Sequence, residues 1–141
     1  MTSRTFAIIK PDAVEKGNTG KIYDHILNAG FKILGAKLIR MTLSQAEGFY
    51  AVHTAKPFYA ELTEFMSSGQ SIVLVLEKEN AVDEWRKTIG STNPEEAAEG
   101  TIRRIFAASI GENAVHGSDS DENAEKEIGF FFTESELISN R

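Results

Sequence analysis

The sequence contains no cysteine, only three prolines and no long apolar run. The absence of cysteine excludes disulfides, zinc–cysteine sites, iron–sulfur clusters and thiol catalysis. The longest aliphatic run is Ile72–Leu76, far short of the roughly 20 residues that span a bilayer. The apolar stretch near the N-terminus is too short for the core of a secretory signal. These absences predict a soluble, cytoplasmic protein that does not bind membranes.

The length and the charge limit the classes of function further. The chain has 141 residues, of which 41% are hydrophobic and 26% are charged. Because domains usually contain roughly 100–200 residues, we expect residues 1–141 to form a single domain. The net charge is -6, with +2 on residues 1–70 and -8 on residues 71–141. An acidic chain is a poor candidate for binding duplex nucleic acid, which requires many Lys/Arg–phosphate contacts.

Hydrophobic periodicity predicts an open sheet covered by helices. Buried strands are expected at residues 5–9 and 72–76, and amphipathic helices are expected to begin at Lys21 and after Asn80. The order is strand–helix–strand–helix–helix–strand–helix–strand–helix, and periodicity alone leaves open whether the strands run parallel. A capping box of Ser44 and Glu47 is expected to begin the second helix, and Ser120–Phe132 is expected to form the last helix. Residues 90–112 contain three glycines and one proline. Only short helical pieces are predicted there, and such long irregular segments are usually functional or disordered.

Of the three histidines, His116 is the best candidate for chemistry. His25 and His53 fall on predicted helices, where surface or packing roles are the default. His116 lies between a predicted short strand at residues 114–115 and the start of the last helix, and Gly117 and a Ser-Asp-Ser run follow it. Glycine allows close approach of the backbone, and a helix N-terminus favours anions. A neutral imidazole is a competent nucleophile toward phosphorus, and a turn histidine beside N-cap residues explains the pattern equally well.

Two inward-facing polar residues accompany His116. Glu127 lies three residues after Ala124 and four before Phe131, which places it on the inner face of the last helix. Because an unpaired buried charge is costly, Glu127 needs a partner. The ring N–H of His116 is a suitable one, as in a catalytic triad. Tyr50 also faces inward, and its hydroxyl needs a partner as well.

Residues 113–120, with the sequence Asn-Ala-Val-His-Gly-Ser-Asp-Ser, resemble the active-site signature of nucleoside diphosphate kinases. Four further segments match the family in order and spacing: Ile9–Val14, Lys56–Phe58, Gly90–Pro94 and Gly100–Arg103. The resemblance covers essentially the whole chain and implies one nucleoside diphosphate kinase domain. It also implies a ferredoxin-like α+β fold with a four-stranded antiparallel sheet covered by helices.

The resemblance implies transfer of the γ-phosphate of a nucleoside triphosphate, typically ATP, to a nucleoside diphosphate. The mechanism would be ping-pong and would maintain nucleoside triphosphate pools. His116 would be the nucleophile, phosphorylated on Nδ1, and Glu127 with Ser118 would orient it. The residues implied to act on the nucleotide are Lys10, Arg86 and Arg103 at the phosphates, Thr92 and Tyr50 as further hydrogen-bond partners, Phe58 against the base, and Asn113 with Lys10 at the sugar hydroxyl and phosphate region. Lys10 and Tyr50 would also be catalytic.

The family resemblance also implies a cofactor and partners. Asp119 would lie near Mg²⁺, which the nucleotide phosphates mainly carry. Family members are commonly tetramers or hexamers built from a shared dimer, so a homo-oligomer is implied, and nucleic acid is not required. Two positions depart from the family pattern, because Gln70 replaces a usual proline and Ile105 replaces a usual aspartate. We expect these departures to affect the anchoring of residues 90–112 and the assembly of subunits rather than the chemistry.

Two other classes of function compete with this hypothesis. A non-catalytic ferredoxin-like module that binds nucleic acid or protein is disfavoured by the negative charge. It is also disfavoured because all the candidate residues occur together, whereas a pseudo-enzyme is expected to have lost one of them. A different phosphohistidine carrier would need neither the aromatic Phe58 nor three cations far apart in the sequence.

Overall fold

The computed structural model describes residues 2–140, and one antiparallel sheet is its centre. The strands are β1 (Thr2–Ile9), β2 (Lys32–Arg40), β3 (Gln70–Glu79) and β4 (Val115–Gly117). Their order across the sheet is β2-β3-β1-β4, and every neighbouring pair is antiparallel. The direction that periodicity left open is therefore settled, and the α+β fold with a four-stranded antiparallel sheet is confirmed.

Helices cover the sheet and connect its strands. They are α1 (Pro11–Glu15), α2 (Thr19–Asn28), α3 (Leu43–Phe49), α4 (Tyr59–Met66), α5 (Ala81–Ile89), α6 (Ile102–Phe106), α7 (Asp121–Phe131) and α8 (Glu134–Ile138), with a 3₁₀ turn at Ala51–His53. In the predicted last helix, Ser120 is the N-cap, and its hydroxyl accepts the backbone N–H of Asn123. The helix α8 beyond it was not predicted. Within residues 2–140, no helix is long and apolar enough to cross a bilayer.

Both faces of the sheet are buried. Along β1, Ala7 and Ile9 belong to one apolar cluster, while Phe6 and Ile8 belong to the other. The first cluster includes residues of α2 and α5, and the second includes residues of α3, α4 and α7. Since successive side chains of a strand point to opposite faces, helices on both sides explain why β1 and β3 contain continuous apolar runs.

The helix α3 begins earlier than predicted. The capping box at Ser44 and Glu47 is wrong, because Thr42 is the N-cap and exchanges two hydrogen bonds with Gln45. Thr42/Gln45 and Ser44/Glu47 both place a Glu or Gln three residues after a Ser or Thr, so the capping-box pattern alone cannot decide which pair begins the helix. Packing favours Thr42 as the N-cap. Met41 before the cap and Ala46, the fourth helical residue, are buried in the same cluster, which is the arrangement of a hydrophobic staple.

The two departures from the family pattern lie on ordered elements. Gln70 is the first residue of β3 and pairs with Arg40 of β2. Ile105 lies in α6, the helix within residues 90–112, and 54% of its surface is exposed. The hydroxyl of Thr101 caps that helix by accepting the N–H of Arg104. The first turn of α6 is thus capped by a side chain.

Candidate active site

His116 lies within β4, so its predicted place between a strand and a helix is corrected. It pairs with Ile8 of the central strand β1. The strand is only three residues long, and its position depends on its neighbours rather than on local propensity. Pairing to a buried strand gives the backbone of His116 a fixed position, and 18% of its side chain is exposed.

The imidazole of His116 is held through one of its two nitrogens. Its Nε2 lies 2.7 Å from Oε1 of Glu127, and the same oxygen accepts the hydroxyl of Ser118 at 2.8 Å. Because a carboxylate only accepts hydrogen bonds, the neutral ring carries its proton on Nε2. The lone pair of Nδ1 is then available for chemistry. The structure thus brings together His116, Glu127 and Ser118.

The environment favours the neutral form of this histidine. Burial is the main cause that lowers the pKa of His116, and the cations Lys10 and Arg103 add to it. The bond to Glu127 acts in the opposite direction. Since an unperturbed imidazole titrates near pH 6.5, the lowered pKa leaves the ring neutral at physiological pH.

Aromatic rings surround the imidazole edge-on. The ring centroids of Phe49, Phe6 and Tyr50 lie 5.6, 6.1 and 6.3 Å from that of His116. The hydroxyl of Tyr50 is buried and has no hydrogen-bond partner among the described residues. Burial, and then the charge of Glu127, raise the pKa of Tyr50. The phenol therefore stays protonated and keeps an unused hydrogen-bond donor in the aromatic surroundings of His116.

Lys10 is a buried cation at the end of β1. Its Nζ donates to Oδ1 of Asn113 at 2.8 Å, and 8% of the residue is exposed. Burial, and then the charge of Arg103, lower the pKa of Lys10 to about 8. A buried ammonium with one neutral partner has unused donors, which suits an anionic ligand.

Arg103 lies beside a polar cavity. It donates to backbone carbonyls of Gly90, Asn113 and Val115, at 3.0, 3.4 and 2.9 Å respectively. Burial, and then the charge of Arg86, lower the pKa of Arg103 to about 10. The cavity of about 340 Å³ is lined by Arg86, Ile89, Gly90, Ser91, Thr92, Arg103 and Gly117. Two predicted cations and Thr92 therefore line one cavity, next to the residue that follows His116.

Phe58 and Asp119 lie on the surface. Phe58 is 46% exposed, and its ring centroid is 5.5 Å from that of His53. Its exposure argues against a role in the core. The carboxylate of Asp119 accepts the side-chain amide of Asn123 at 2.6 Å, which lowers the pKa of Asp119. Residues 2–140 contain no group of three or more His, Asp or Glu side chains that could hold a metal ion.

Trp85 and Asp12 are contacts of the site that sequence reasoning did not identify. The indole N–H of Trp85, on α5, donates to the carbonyl of His116 at 3.1 Å. The carboxylate of Asp12 accepts the backbone N–H of Ala114 at 3.1 Å. Both bonds join residues that are far apart in the sequence, so no local pattern indicates them. The only signal was the resemblance of Ile9–Val14 to a family motif, which assigned Asp12 no role.

Gly117 allows the close approach that its position predicted, and the neighbour is Trp85. A Cβ at Gly117 would lie 2.8 Å from Cδ1 of the indole and 3.1 Å from Cδ1 of Ile89. We therefore expect Gly117→Ala to destabilise the fold by about 1–3 kcal/mol, measured by urea unfolding. Gly129→Ala is the matched control, because nothing lies within 4 Å of its Cβ. The control is expected to be stabilised by roughly 0.5–1 kcal/mol, since Gly129 lies in a helix. Equal stabilities of the two variants would contradict this packing argument.

The chain is similar over nearly its whole length to nucleoside diphosphate kinases. The family model described as nucleoside diphosphate kinase matches residues 3–137. A nucleoside diphosphate kinase of Salinibacter ruber is 55% identical over 139 residues, which are 99% of this chain and 98% of the relative. That of Phenylobacterium zucineum is 56% identical over 138 residues, which are 98% of this chain and 99% of the relative.

Solved structures agree with the sequence comparisons. A crystal structure of the Aquifex aeolicus nucleoside diphosphate kinase superposes with a TM-score of 0.95 at 46% identity, covering 97% of this chain and 99% of the other. The Encephalitozoon cuniculi enzyme superposes with a TM-score of 0.89 at 38% identity, covering 92% of this chain and 88% of the other. The match of sequence, fold and length leads to one conclusion: the chain belongs to the nucleoside diphosphate kinase family.

Proposed function

We propose that this kinase works by a ping-pong mechanism, in which His116 carries the phosphoryl group between a nucleoside triphosphate and a nucleoside diphosphate. The observation that carries the proposal is the 2.7 Å contact between Nε2 of His116 and Glu127. It supports the tautomer in which Nδ1 carries no proton and keeps its lone pair. The reaction would maintain nucleoside triphosphate pools in the cytoplasm.

In the first half-reaction, the Nδ1 lone pair of His116 attacks the γ-phosphorus. A bond forms between Nδ1 and phosphorus, and the bond from phosphorus to the β–γ bridging oxygen breaks, so that the nucleoside diphosphate leaves with the electron pair. The ring becomes positively charged, and the carboxylate of Glu127 stabilises that charge through Nε2–H. Ser118 keeps Glu127 in place through its 2.8 Å hydrogen bond. In the second half-reaction, a β-phosphate oxygen of another nucleoside diphosphate attacks the same phosphorus, and Nδ1 is released.

The nucleotide is held by cations and hydrogen-bond donors rather than by a phosphate-binding loop. We assign the phosphates to Lys10, Arg86 and Arg103, because phosphoryl transfer depends on positioning and on compensation of charge. Guanidinium groups present forked donors that match phosphate oxygens. The remaining assignments are Thr92 and Tyr50 as donors to the phosphates, Asn113 and Lys10 at the sugar hydroxyl, and Phe58 as the surface on which the base stacks. Stacking on Phe58 tolerates every base, since each base has a π-face.

Mg²⁺ is expected to enter with the nucleotide. The donor set supports this, because Asp119 is a single exposed carboxylate that is already hydrogen-bonded to Asn123, and one carboxylate cannot form a protein cage for the ion. A nucleotide-bound Mg²⁺ neutralises charge on the phosphate oxygens. Asp119 would lie near that ion and contribute negative charge to its surroundings.

We further infer a homo-oligomer, a tetramer or a hexamer built from dimers. Within residues 2–140, β2 is an edge strand of the sheet, and its Leu38 is 61% exposed. Edge strands and exposed apolar side chains favour association. Sedimentation velocity at micromolar concentration measures the assembly, and a monomer would contradict the inference.

Isolation of the phosphorylated protein tests the proposed function. After incubation with Mg²⁺ and ATP labelled at the γ-phosphate, the protein should carry label that is lost in acid and kept in alkali. Adding an unlabelled nucleoside diphosphate should then move the label to the corresponding triphosphate. Absence of label on the protein, combined with active transfer between nucleotides, would exclude the covalent route.

The activity should follow a bell-shaped dependence on pH. His116 must be neutral to attack, and since its pKa is lowered, the acid limb should lie below about pH 6.5. Lys10 must be protonated to bind phosphate, and its pKa of about 8 predicts that kcat/KM falls as the pH rises through that value. The measurement is kcat/KM from pH 5 to about pH 10. Lys10→Arg should move the alkaline limb upward, because a guanidinium keeps its proton at higher pH. An unchanged limb in Lys10→Arg would exclude Lys10 as its source.

A further inference from the structure

A tight, strained turn precedes the strand that carries His116. The backbone N–H of Val115 donates to the carbonyl of Asn113 at 2.8 Å, and the residue between them, Ala114, has a φ of 70°. This is a γ-turn of the hand that L-residues rarely adopt. Only Ala114 and Asn80 combine a side chain with a positive φ in residues 2–140. Strained backbone of this kind persists where the surroundings hold it in place.

The N–H and the carbonyl of Ala114 both form hydrogen bonds with residues that directly follow β1. Its N–H donates to Oδ2 of Asp12 at 3.1 Å, and its carbonyl accepts the N–H of Lys10 at 2.8 Å. Asp12 is 4% exposed, and its Oδ1 has no partner among the described residues. Burying a carboxylate is expensive, and burial raises the pKa of Asp12. This cost indicates that the bond to Ala114 has a specific role.

The turn connects three of the groups assigned to the reaction. Asn113, on one side of Ala114, accepts Nζ of Lys10 with its side chain and Nε of Arg103 with its carbonyl. Val115, on the other side, accepts a second nitrogen of Arg103 with its carbonyl. His116 is the next residue. The shape of this turn therefore fixes the lysine, the arginine and the histidine relative to one another.

We propose that Asp12 is a positioning residue for phosphoryl transfer, which holds Ala114 in its strained turn and thereby aligns His116 with Lys10 and Arg103. The proposal rests on the proposed function of His116. Asp12 itself touches none of the reacting atoms. Misplacing catalytic groups by about 1 Å can cost roughly 100-fold in rate, so loss of the bond should slow the chemical step.

If Asp12 acts by holding Ala114 at its positive φ, a glycine at position 114 should compensate for the loss of the carboxylate. In Asp12→Ala, we expect the rate of His116 phosphorylation by labelled ATP, measured in a single turnover, to fall about 10- to 100-fold. In the double variant Asp12→Ala/Ala114→Gly, the rate should recover about tenfold, because glycine adopts a positive φ without strain. Asp12→Asn keeps an acceptor oxygen and should retain most of the rate. Glu15→Ala removes an exposed carboxylate from the same short helix and is the matched control.

The alternative is that Asp12 only stabilises the start of α1, where it lies in the first turn. In that case Asp12→Ala would lower the melting temperature, and the double variant would phosphorylate no faster than the single one. Either that result or a wild-type rate in Asp12→Ala would overturn the proposal. If the wild-type protein accepts no label, the proposed function fails instead. The folded fraction of each variant, from far-ultraviolet circular dichroism, ensures that rates are compared per folded molecule.

Discussion

Replacing His116 with alanine is expected to reduce nucleotide phosphoryl transfer by roughly 10⁴- to 10⁶-fold, as the loss of a covalent nucleophile does in other enzymes. The reason is that no other described group is both nucleophilic and held in the same position. Tyr50 stays protonated because its pKa is raised, and Ser118 already donates to Glu127. The measurement combines steady-state transfer from ATP to a nucleoside diphosphate with the yield of acid-labile label on the protein.

The other histidines supply the control for this variant. His25 lies on α2 and is partly exposed, so His25→Ala should keep both the rate and the label. The fold of His116→Ala should persist, since the hydrogen bond from Trp85 reaches the carbonyl of His116 rather than its ring. Retention of label in a folded His116→Ala protein would exclude His116 as the carrier.

The strands and helices whose patterns are local were predictable from the sequence. The continuous apolar runs of β1 and β3 and the periodic apolar residues of α2 and α5 identified these elements, because burial on one or both faces leaves a direct pattern. The elements predicted poorly depend on distant contacts. The strand β4 has three residues and exists through its pairing with β1, and α8 has five residues and packs on β2.

The same distinction applies to the candidate site. Glu127 was predicted as the partner of His116 because both lie on or next to one helix, where spacing determines which face a residue occupies. Lys10 and Asn113 are 103 positions apart, and their 2.8 Å contact follows only from the order of the strands. Charge alone gave no indication of it, since the chain is acidic as a whole. The family resemblance identified these residues, and the structure supplied their contacts.

Arg103 and Arg104 are adjacent arginines for which opposite results are expected. Arg103 is 8% exposed and lines the polar cavity with Arg86. In the proposed mechanism its guanidinium would contact the phosphates and stabilise the negative charge that develops on the leaving oxygen in the transition state. We expect Arg103→Ala to lose about 2–4 kcal/mol of transition-state stabilisation, roughly 30- to 1000-fold in kcat/KM. The measurement is kcat/KM for ATP and for a nucleoside diphosphate acceptor, because in the proposed mechanism both half-reactions would use the same phosphate site.

Arg104→Ala is the matched control, since it removes the same charge one residue away. The Arg104 side chain is exposed and donates to the carbonyl of Glu95, so its loss should change kcat/KM by less than about threefold.

Arg103 also donates hydrogen bonds to three backbone carbonyls. Arg103→Ala is therefore also expected to unfold at a lower urea concentration than the wild type. Arg103→Lys separates the two effects, because a single ammonium retains the charge and loses the forked contacts. Partial recovery of kcat in Arg103→Lys supports charge compensation, whereas kinetics of Arg103→Ala that match those of Arg104→Ala would remove Arg103 from the phosphate site.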